Sequence, residues 1–444
     1  MNPTDEPAIS DTLVATRHYL LICQFCGRRS DDDGVALTCR EEHPPALLRT
    51  EYAGQSFSPR YATEGLFRYQ DWLPVIRTRI DTGRTVVYRS TGLARALGVQ
   101  TLWIAFNGYW PERGARLQTG TFKELEAYTV LGRLPAEPVI PSMASSGNTG
   151  AAFAWACSQS GIPCVIVVPE TGMHRMRFRE PLAPLVTIVT IEGAYPEAIS
   201  LAAAIGRIPT FQIEGGVKNV GRRDGLGTVL LSAYERMHRL PTQYFQAVGS
   251  GTGAIAVMEA AHRLRASGCG DPLPHLMLCQ NAPFTPIYDA WRRDPDSIDL
   301  EAPARYRAAL QEVVADELTN TTPPYAIIGG VRDALATSRG EVFATDNAAV
   351  HKAMNMFCSL EGIDIEPAAG VAVAGLSKAA ERGKIGRDDV VLLNVTGGGR
   401  DRLAQDCTLI PAEPALRISG RAAEDLEETA ARIAEVAYRH TSFL

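Results

Sequence analysis

From about residue 98 onward the chain alternates short β-rich runs with helical patterns, and this alternation restricts the fold more than any other feature. Strand candidates are Thr101–Phe106, Val139–Ser142, Cys164–Val168, Val186–Ile191, Thr210–Ile213, Tyr244–Val248, His275–Cys279 and Val390–Val395. Helix-like segments lie between them, among them Thr149–Ser160, Ala194–Ile205, Gly227–Met237, Ala254–Ala266 and Asn347–Leu360. Strands and helices in alternation predict βαβ units and a doubly wound α/β protein with mostly parallel sheets. The 444 residues exceed the roughly 250–300 at which a single core stops growing, so two lobes are expected. The stretch Ala422–Arg439 has Ala, Leu, Ile and Val at helical spacing and predicts a terminal amphipathic helix.

A net charge of −6 supplies no global basic field for nucleic acid or an anionic membrane. An acidic chain that binds anions must gather its positive charge in one pocket. No apolar run approaches the roughly 20 residues that span a bilayer. The acidic start has no apolar core of a secretory signal, so a cytoplasmic protein with reduced cysteines is expected. Six of the nine cysteines (Cys157, Cys164, Cys269, Cys279, Cys358, Cys407) stand in apolar or loop contexts and read as small hydrophobes.

Four elements carry the chemistry. Gly120-Thr121-Phe122-Lys123 offers a lysine which, in a partly desolvated pocket, has lowered basicity and can bond an aldehyde carbon. Ala144-Ser145-Ser146-Gly147-Asn148-Thr149-Gly150 joins a strand to a helix and can present N–H and hydroxyl groups to an anion. Gly249-Ser250-Gly251-Thr252-Gly253 also follows a strand and precedes a helix. Its glycines admit a close phosphate, and Ser250 and Thr252 add hydroxyls. It lacks both GxGxxG spacing and a nucleotide-loop lysine, which suits a single phosphate group. Asn394-Val395-Thr396-Gly397-Gly398-Gly399 places a hydroxyl at a strand's C-terminal end, where α/β sheets bind ligands. Each element alone is also compatible with a surface charge, a cap or a tight turn.

In this order the four resemble the fold-type-II pyridoxal-phosphate (PLP) enzymes, the family of tryptophan synthase β, O-acetylserine sulfhydrylase and threonine synthase. The resemblance implies two doubly wound parallel-sheet lobes plus a small N-terminal zinc-ribbon-like unit. It implies boundaries at 1–50 for the tail and that unit, 51–136 with 214–444 for a large PLP-binding domain, and 137–213 for a small, mobile substrate domain. Carried over position by position, Lys123 bonds the cofactor and is the catalytic base. Asn148 contacts the cofactor's 3′-oxygen, and Gly249, Ser250, Gly251, Thr252 and Gly253 hold its phosphate. The Thr396 hydroxyl meets the ring nitrogen. Ser145, Ser146, Gly147, Asn148 and Thr149 hold the substrate carboxylate. A hydroxyl at Thr396 leaves the ring largely neutral, which favours β- or γ-elimination and replacement over transamination. Glu361-Gly362 is similar to the family's late Glu-Gly element near the ring, with a packed helix end as the alternative.

Gly216 to Gly225, Thr322 to Gly330 and a Cys-x-x-Cys unit resemble threonine synthases more closely. The SFKDRG run of those enzymes is here Thr121-Phe122-Lys123-Glu124-Leu125, without the arginine. Phe106 to Arg116 and Ala46 to Tyr52 look like the cysteate synthase branch. That branch implies replacement of the phosphate of O-phosphoserine by sulfite, on a coenzyme M biosynthetic route. Arg113 and Arg116 would then receive the anions, with surface or interlobe ion pairs as the alternative. Threonine synthase, a phosphoserine sulfhydrylase, a PLP lyase on a sulfonated amino acid and a non-catalytic PLP-binding regulator stay open. The expected partners are a small anionic amino acid and further copies of the chain, as a dimer or trimer. The basic run His174 to Arg179 is either a closing lid or a solvated face. Cys23, Cys26, Cys39 and His43 have zinc-knuckle spacing in their first half. They are expected to hold a structural zinc, or to be its metal-free remnant, far from the chemistry.

Overall fold

The computed structural model describes residues 12–13, 17–54, 56–145, 147–193, 195–419 and 425–441. Two parallel sheets organise them. The larger has six strands in the order Glu341–Thr345, His275–Asn281, Gln243–Ala247, Val390–Val395, Thr101–Phe106 and Val86–Ser90. All its pairings are parallel except that of Val86–Ser90, which runs antiparallel to Thr101–Phe106 at the edge. The smaller sheet has five parallel strands, Phe211–Ile213, Ile140–Ala144, Cys164–Pro169, Val186–Ile191 and Leu416–Ile418. Central strands such as Val390–Val395 and Cys164–Pro169 are buried at every residue. Helices cover both sheet faces, so these strands read as continuous apolar runs rather than as alternations.

Most predicted strands lie where they were read, and Val186–Ile191 and Val390–Val395 match to the residue. The helix expected at Gly227–Met237 begins seven residues earlier, at Val220. The side chain of Asn219 accepts from the Gly221 N–H and caps it. The expected boundaries left all of 214–444 in the larger lobe. The structure instead adds Leu416–Ile418 to the smaller sheet beside Val189–Ile191. The terminal helix, Leu426–Thr441, buries Ala430, Ile433, Ala434 and Ala437 in the core of that sheet. This apolar stripe needs a partner face, and Leu201 and Ile205 supply it. Residues 1–11 of the expected tail, Ser146, Ala194 and the first turn of the expected terminal helix lie outside the described residues.

The N-terminal unit is a three-stranded antiparallel sheet of Arg29–Ser30, Tyr19–Cys23 and Leu48–Tyr52. Asp224, in the helix Val220–Met237, accepts from Thr50 Oγ1, Tyr52 Oη and Arg263, which docks this unit on the larger lobe. Among the described residues no helix is long and apolar enough to cross a membrane.

Candidate active site

A cavity of about 540 Å3 opens between the two sheets, and their strand ends supply its walls. Lys123 lines it as the first residue of the helix Lys123–Arg133. The Phe122 N–H donates to the Thr396 carbonyl at 2.9 Å, and the Gly398 N–H donates to the Gly120 carbonyl at 3.0 Å. Two loops far apart in sequence are thereby stitched together, placing Lys123 and Thr396 on one wall.

On a second wall, Gly249–Gly253 leads from the strand Gln243–Ala247 into the helix Thr252–Ala266. Gly251 sits at φ 76°, a left-handed conformation that glycine adopts without Cβ strain. A Cβ at Gly249 would lie 2.9 Å from the Leu318 carbonyl oxygen, and one at Gly253 would collide with the Gln246 amide. Side chains are thus excluded at the glycine positions of the rim. Ser250 Oγ and Thr252 Oγ1 lie 2.9 Å apart at the start of the helix.

The helix Asn148–Ser160 opens the third wall, where Asn148 and Thr149 line the cavity. Asn148 Nδ2 donates to Glu366 at 3.0 Å, and its Oδ1 accepts from Arg400 at 3.0 Å. Ser145 also lines the cavity, but its hydroxyl oxygen accepts from the Gly147 and Gly150 N–H groups at 3.0 and 2.7 Å. It therefore shapes the loop, like a helix cap. Ser146, expected beside it, lies outside the described residues.

A network of charges underlies Lys123. Its Nζ is 3.3 Å from Glu126 Oε2, and Glu126 Oε1 accepts from Arg222 at 2.8 Å and from the Thr149 hydroxyl at 3.2 Å. Arg222 also makes a two-pronged pair with Glu214. Burial lowers the basicity of Lys123, with Glu126 acting against it. Burial and the neighbouring Glu366 push the Glu317 carboxyl up. A local reading of the sequence passed over Glu126, Glu214, Glu366 and Arg222. Arg222 does lie within the Gly216–Gly225 stretch already set apart by resemblance.

The placement of Arg113 and Arg116 is corrected, and the structure chooses between the two readings of Glu361. Arg113 and Arg116 are exposed and do not line the cavity. The Arg113 guanidinium lies over the Tyr88 and Trp110 rings, 4.1 and 4.6 Å from their centroids, and this stacking turns it away. Glu361 is a packed helix end, accepting from Ser90 Oγ and the Leu93 N–H at 2.6 and 3.2 Å. Glu361 does not line the cavity, whereas Glu214, Glu317 and Glu366 do. Of the basic run, Arg175 packs against Gly147 and pairs with Asp316 and Glu317, whereas Arg177 is exposed.

Cys23, Cys26, Cys39 and His43 do converge, with their ligand atoms all within 4.8 Å of one another. Three thiols and an imidazole fit a tetrahedral zinc site, and His43 Nδ1 lies 2.7 Å from the Pro44 carbonyl, leaving Nε2 toward the thiols. None of the four residues lines the cavity, as expected, but a neighbour in the same unit does. Leu37, two residues before Cys39, is part of the cavity wall.

Residues 79–397 match the family model described as pyridoxal-phosphate dependent enzyme. The chain is 46% identical to a cysteate synthase of Methanoculleus marisnigri over 408 residues, 90% of this chain and 93% of the relative. It is 45% identical to a cysteate synthase of Methanoregula boonei over 391 residues, 87% and 91% of the two chains. Its fold is similar to that of maize serine racemase, with TM-score 0.52 and 18% identity over 73% of this chain and 92% of that one. It is also similar to diaminopropionate ammonia lyase of Escherichia coli, with TM-score 0.54 and 16% identity over 71% and 84%.

Proposed function

The chain belongs to the pyridoxal-phosphate-dependent enzymes, within them to the cysteate synthase family, and from that premise we propose that it converts O-phosphoserine and sulfite to cysteate and phosphate. The observation that carries the reading is the convergence of Lys123, Asn148, the Gly249–Gly253 loop and Thr396 on one cavity.

The donor set fits the cofactor. Thr121 Oγ1, beside Lys123, is buried without a hydrogen-bond partner, so the wall keeps an unused polar atom. The Gly249–Gly253 rim admits no side chain at its three glycines and ends at a helix N-terminus, which suits a phosphate. Lys123 would hold the cofactor, the glycine loop with Ser250 and Thr252 its phosphate, and Thr396 its ring nitrogen. Asn148, fixed by Glu366 and Arg400, would flank the ring. When bound, the cofactor supplies an electron sink that acidifies the substrate Cα–H and lets a group depart from Cβ.

The chain's own side chains supply the rest. Gly147, Asn148 and Thr149 open a helix N-terminus to the substrate carboxylate. Lys123 takes the Cα proton as general base and returns it to Cα after sulfite has added. Lys218, exposed at the cavity wall, replaces Arg113 and Arg116 as the cation for phosphate and sulfite. Closure of the lobes would keep water from competing with sulfite. We place the enzyme in the cytoplasm as a homo-oligomer, with a product that would serve coenzyme M biosynthesis.

The test is incubation of the holoenzyme with O-phosphoserine or O-phosphohomoserine, each with and without sulfite or sulfide, with products identified by mass. Cysteate formed only from phosphoserine with sulfite is expected. Threonine from phosphohomoserine, or cysteine from sulfide at a higher rate, would replace the reading. Borohydride should fix the cofactor on Lys123, and Lys123→Ala should abolish both that link and turnover.

A further inference from the structure

Glu126 is buried outright, with no exposed side-chain surface, directly behind Lys123, Thr149 and Arg222, which do line the ligand cavity. Its position follows from the helix. Lys123 and Glu126 are three residues apart in Lys123–Arg133, so they share one face. Both carboxylate oxygens are engaged. Oε2 faces Lys123 Nζ at 3.3 Å, and Oε1 receives Arg222 at 2.8 Å and the Thr149 hydroxyl at 3.2 Å. Arg222 is itself held by Glu214, whose Oε2 also accepts from the Gly216 N–H at 3.0 Å. The carboxylate therefore cannot swing away from the lysine without abandoning two other partners. Arg222 already has Glu214 as a counter-ion. Pairing with Arg222 thus gives no reason for a second buried acid, and Lys123 does.

We propose that Glu126 is a positioning residue that provides the rest site of Lys123 whenever its amine is not bonded to the cofactor. In the reaction the Cα–H bond breaks, its electron pair stays on Cα, and an N–H bond forms on Nζ. Glu126 Oε2 then holds the resulting ammonium until the N–H bond breaks and the proton returns to Cα. The buried site thus carries no unpaired cation at the moment the lysine is charged. The Thr149 hydroxyl, donating to the same carboxylate, links the lysine's rest site to the loop proposed to hold the substrate carboxylate. This inference rests on Lys123 being the cofactor lysine.

The test uses cofactor-free full-length protein and follows the Lys123 amine directly. The rate of its modification by an amine-reactive reagent is measured against pH, with the labelled peptide quantified by mass spectrometry. The groups facing Lys123 and Glu126 are Arg222, Glu214 and Tyr195, and all are retained in Glu126→Gln. Removing an opposite charge in contact is expected to lower the midpoint by about one pH unit or more, a tenfold change in proton affinity. The limiting rate at high pH should not change. A merely structural role would instead raise the limiting rate, by exposing the amine, at an unchanged midpoint, and that outcome would overturn the proposal. If the glutamine variant does not fold, Glu126→Asp draws the carboxylate back by one methylene, and its midpoint should fall below that of wild type. An unmoved midpoint there also overturns it. Borohydride fixation of the cofactor on Lys123 in the same variants separates the two ideas. Fixation without a midpoint shift removes the role of Glu126 alone, and a shift without fixation removes the assignment of Lys123.

Discussion

Arg133 and Asp32 form a two-pronged buried ion pair, with Nε to Oδ2 and Nη2 to Oδ1 both at 2.8 Å, joining the end of the helix that begins with Lys123 to the N-terminal unit. Arg133 also donates to Asn219 Oδ1 and to the Ala36 carbonyl, so four of the guanidinium's five N–H groups are engaged. Burial acts to raise the Asp32 carboxyl, but Arg133 outweighs it and holds the group below the usual carboxylate range. Replacing Arg133 by Met is predicted to leave Asp32 buried with Arg17, the Tyr19 hydroxyl and the Gly34 N–H to face it, and without its main counter-ion. The expected loss is about 3–5 kcal/mol in denaturant unfolding. A loss under about 1 kcal/mol would mean that the pair is as weak as a surface bridge.

Arg113→Ala and Arg116→Ala are expected to leave phosphoserine turnover near wild type, because neither side chain lines the cavity. Lys218→Ala should lower kcat/KM for phosphoserine by about tenfold, the equivalent of ~1.4 kcal/mol for a charged contact. O-acetylserine, whose leaving group is not a phosphate, should be spared. Equal losses on both substrates would show that Lys218 supports the fold or the cofactor instead of the anion.

The parts that were legible in the sequence share one property, that their chemistry is local. A strand ending in Gly-Ser-Gly-Thr-Gly or Ser-Ser-Gly-Asn-Thr-Gly shows its loop, its helix start and its donors within one short window. The Cys23, Cys26, Cys39 and His43 cluster was legible for the same reason. The charged wall under Lys123 was not, because Glu126, Glu214 and Arg222 come from three elements whose meeting depends on packing. Arg113 misled for the converse reason. The family resemblance of the Phe106–Arg116 run does not encode the direction of its side chain, which the Tyr88 and Trp110 rings set. The C-terminal strand Leu416–Ile418 carried too few residues to reveal which sheet it would join.

Glu124, beside Lys123, is 1% exposed, and its Oε1 accepts from the Thr119 N–H and the Thr119 hydroxyl. Burial raises its carboxyl from 4.5 to about 7, with those hydrogen bonds acting in opposition. Between these values the folded protein keeps a proton that the unfolded chain gives up. Stability attributable to this group therefore falls as pH rises through that window. Glu124→Gln cannot ionise. Its stability relative to wild type should improve across the window by up to ~3 kcal/mol, read from urea unfolding at about pH 5 and pH 8. An identical difference at both values would show that Glu124 titrates normally.

Removal of metal is expected to reach the cavity. Cys39 is a ligand of the Cys23, Cys26, Cys39 and His43 cluster, and Leu37, two residues earlier, lies on the cavity wall against Gly215. A Cβ at Gly215 would collide with the Leu37 side chain, so glycine lets the loop seat directly on the wall backbone. Zinc bound at the cluster would fix Cys39 and, through it, the seating of Leu37. A chelator is therefore predicted to weaken binding of pyridoxal phosphate to the cofactor-free protein as well as to lower Tm. Leu37 is half-buried, and its loss should remove roughly 1 kcal/mol of apolar contact, about fivefold in Kd. Leu37→Ala should reproduce that fivefold change with the metal retained, as elemental analysis would verify. If chelation lowers Tm and leaves the cofactor Kd untouched, with Leu37→Ala silent, the cluster only staples the N-terminal unit. Zinc absent from protein purified without chelators would remove the metal from the account, and the Leu37→Ala result would then measure the loop alone.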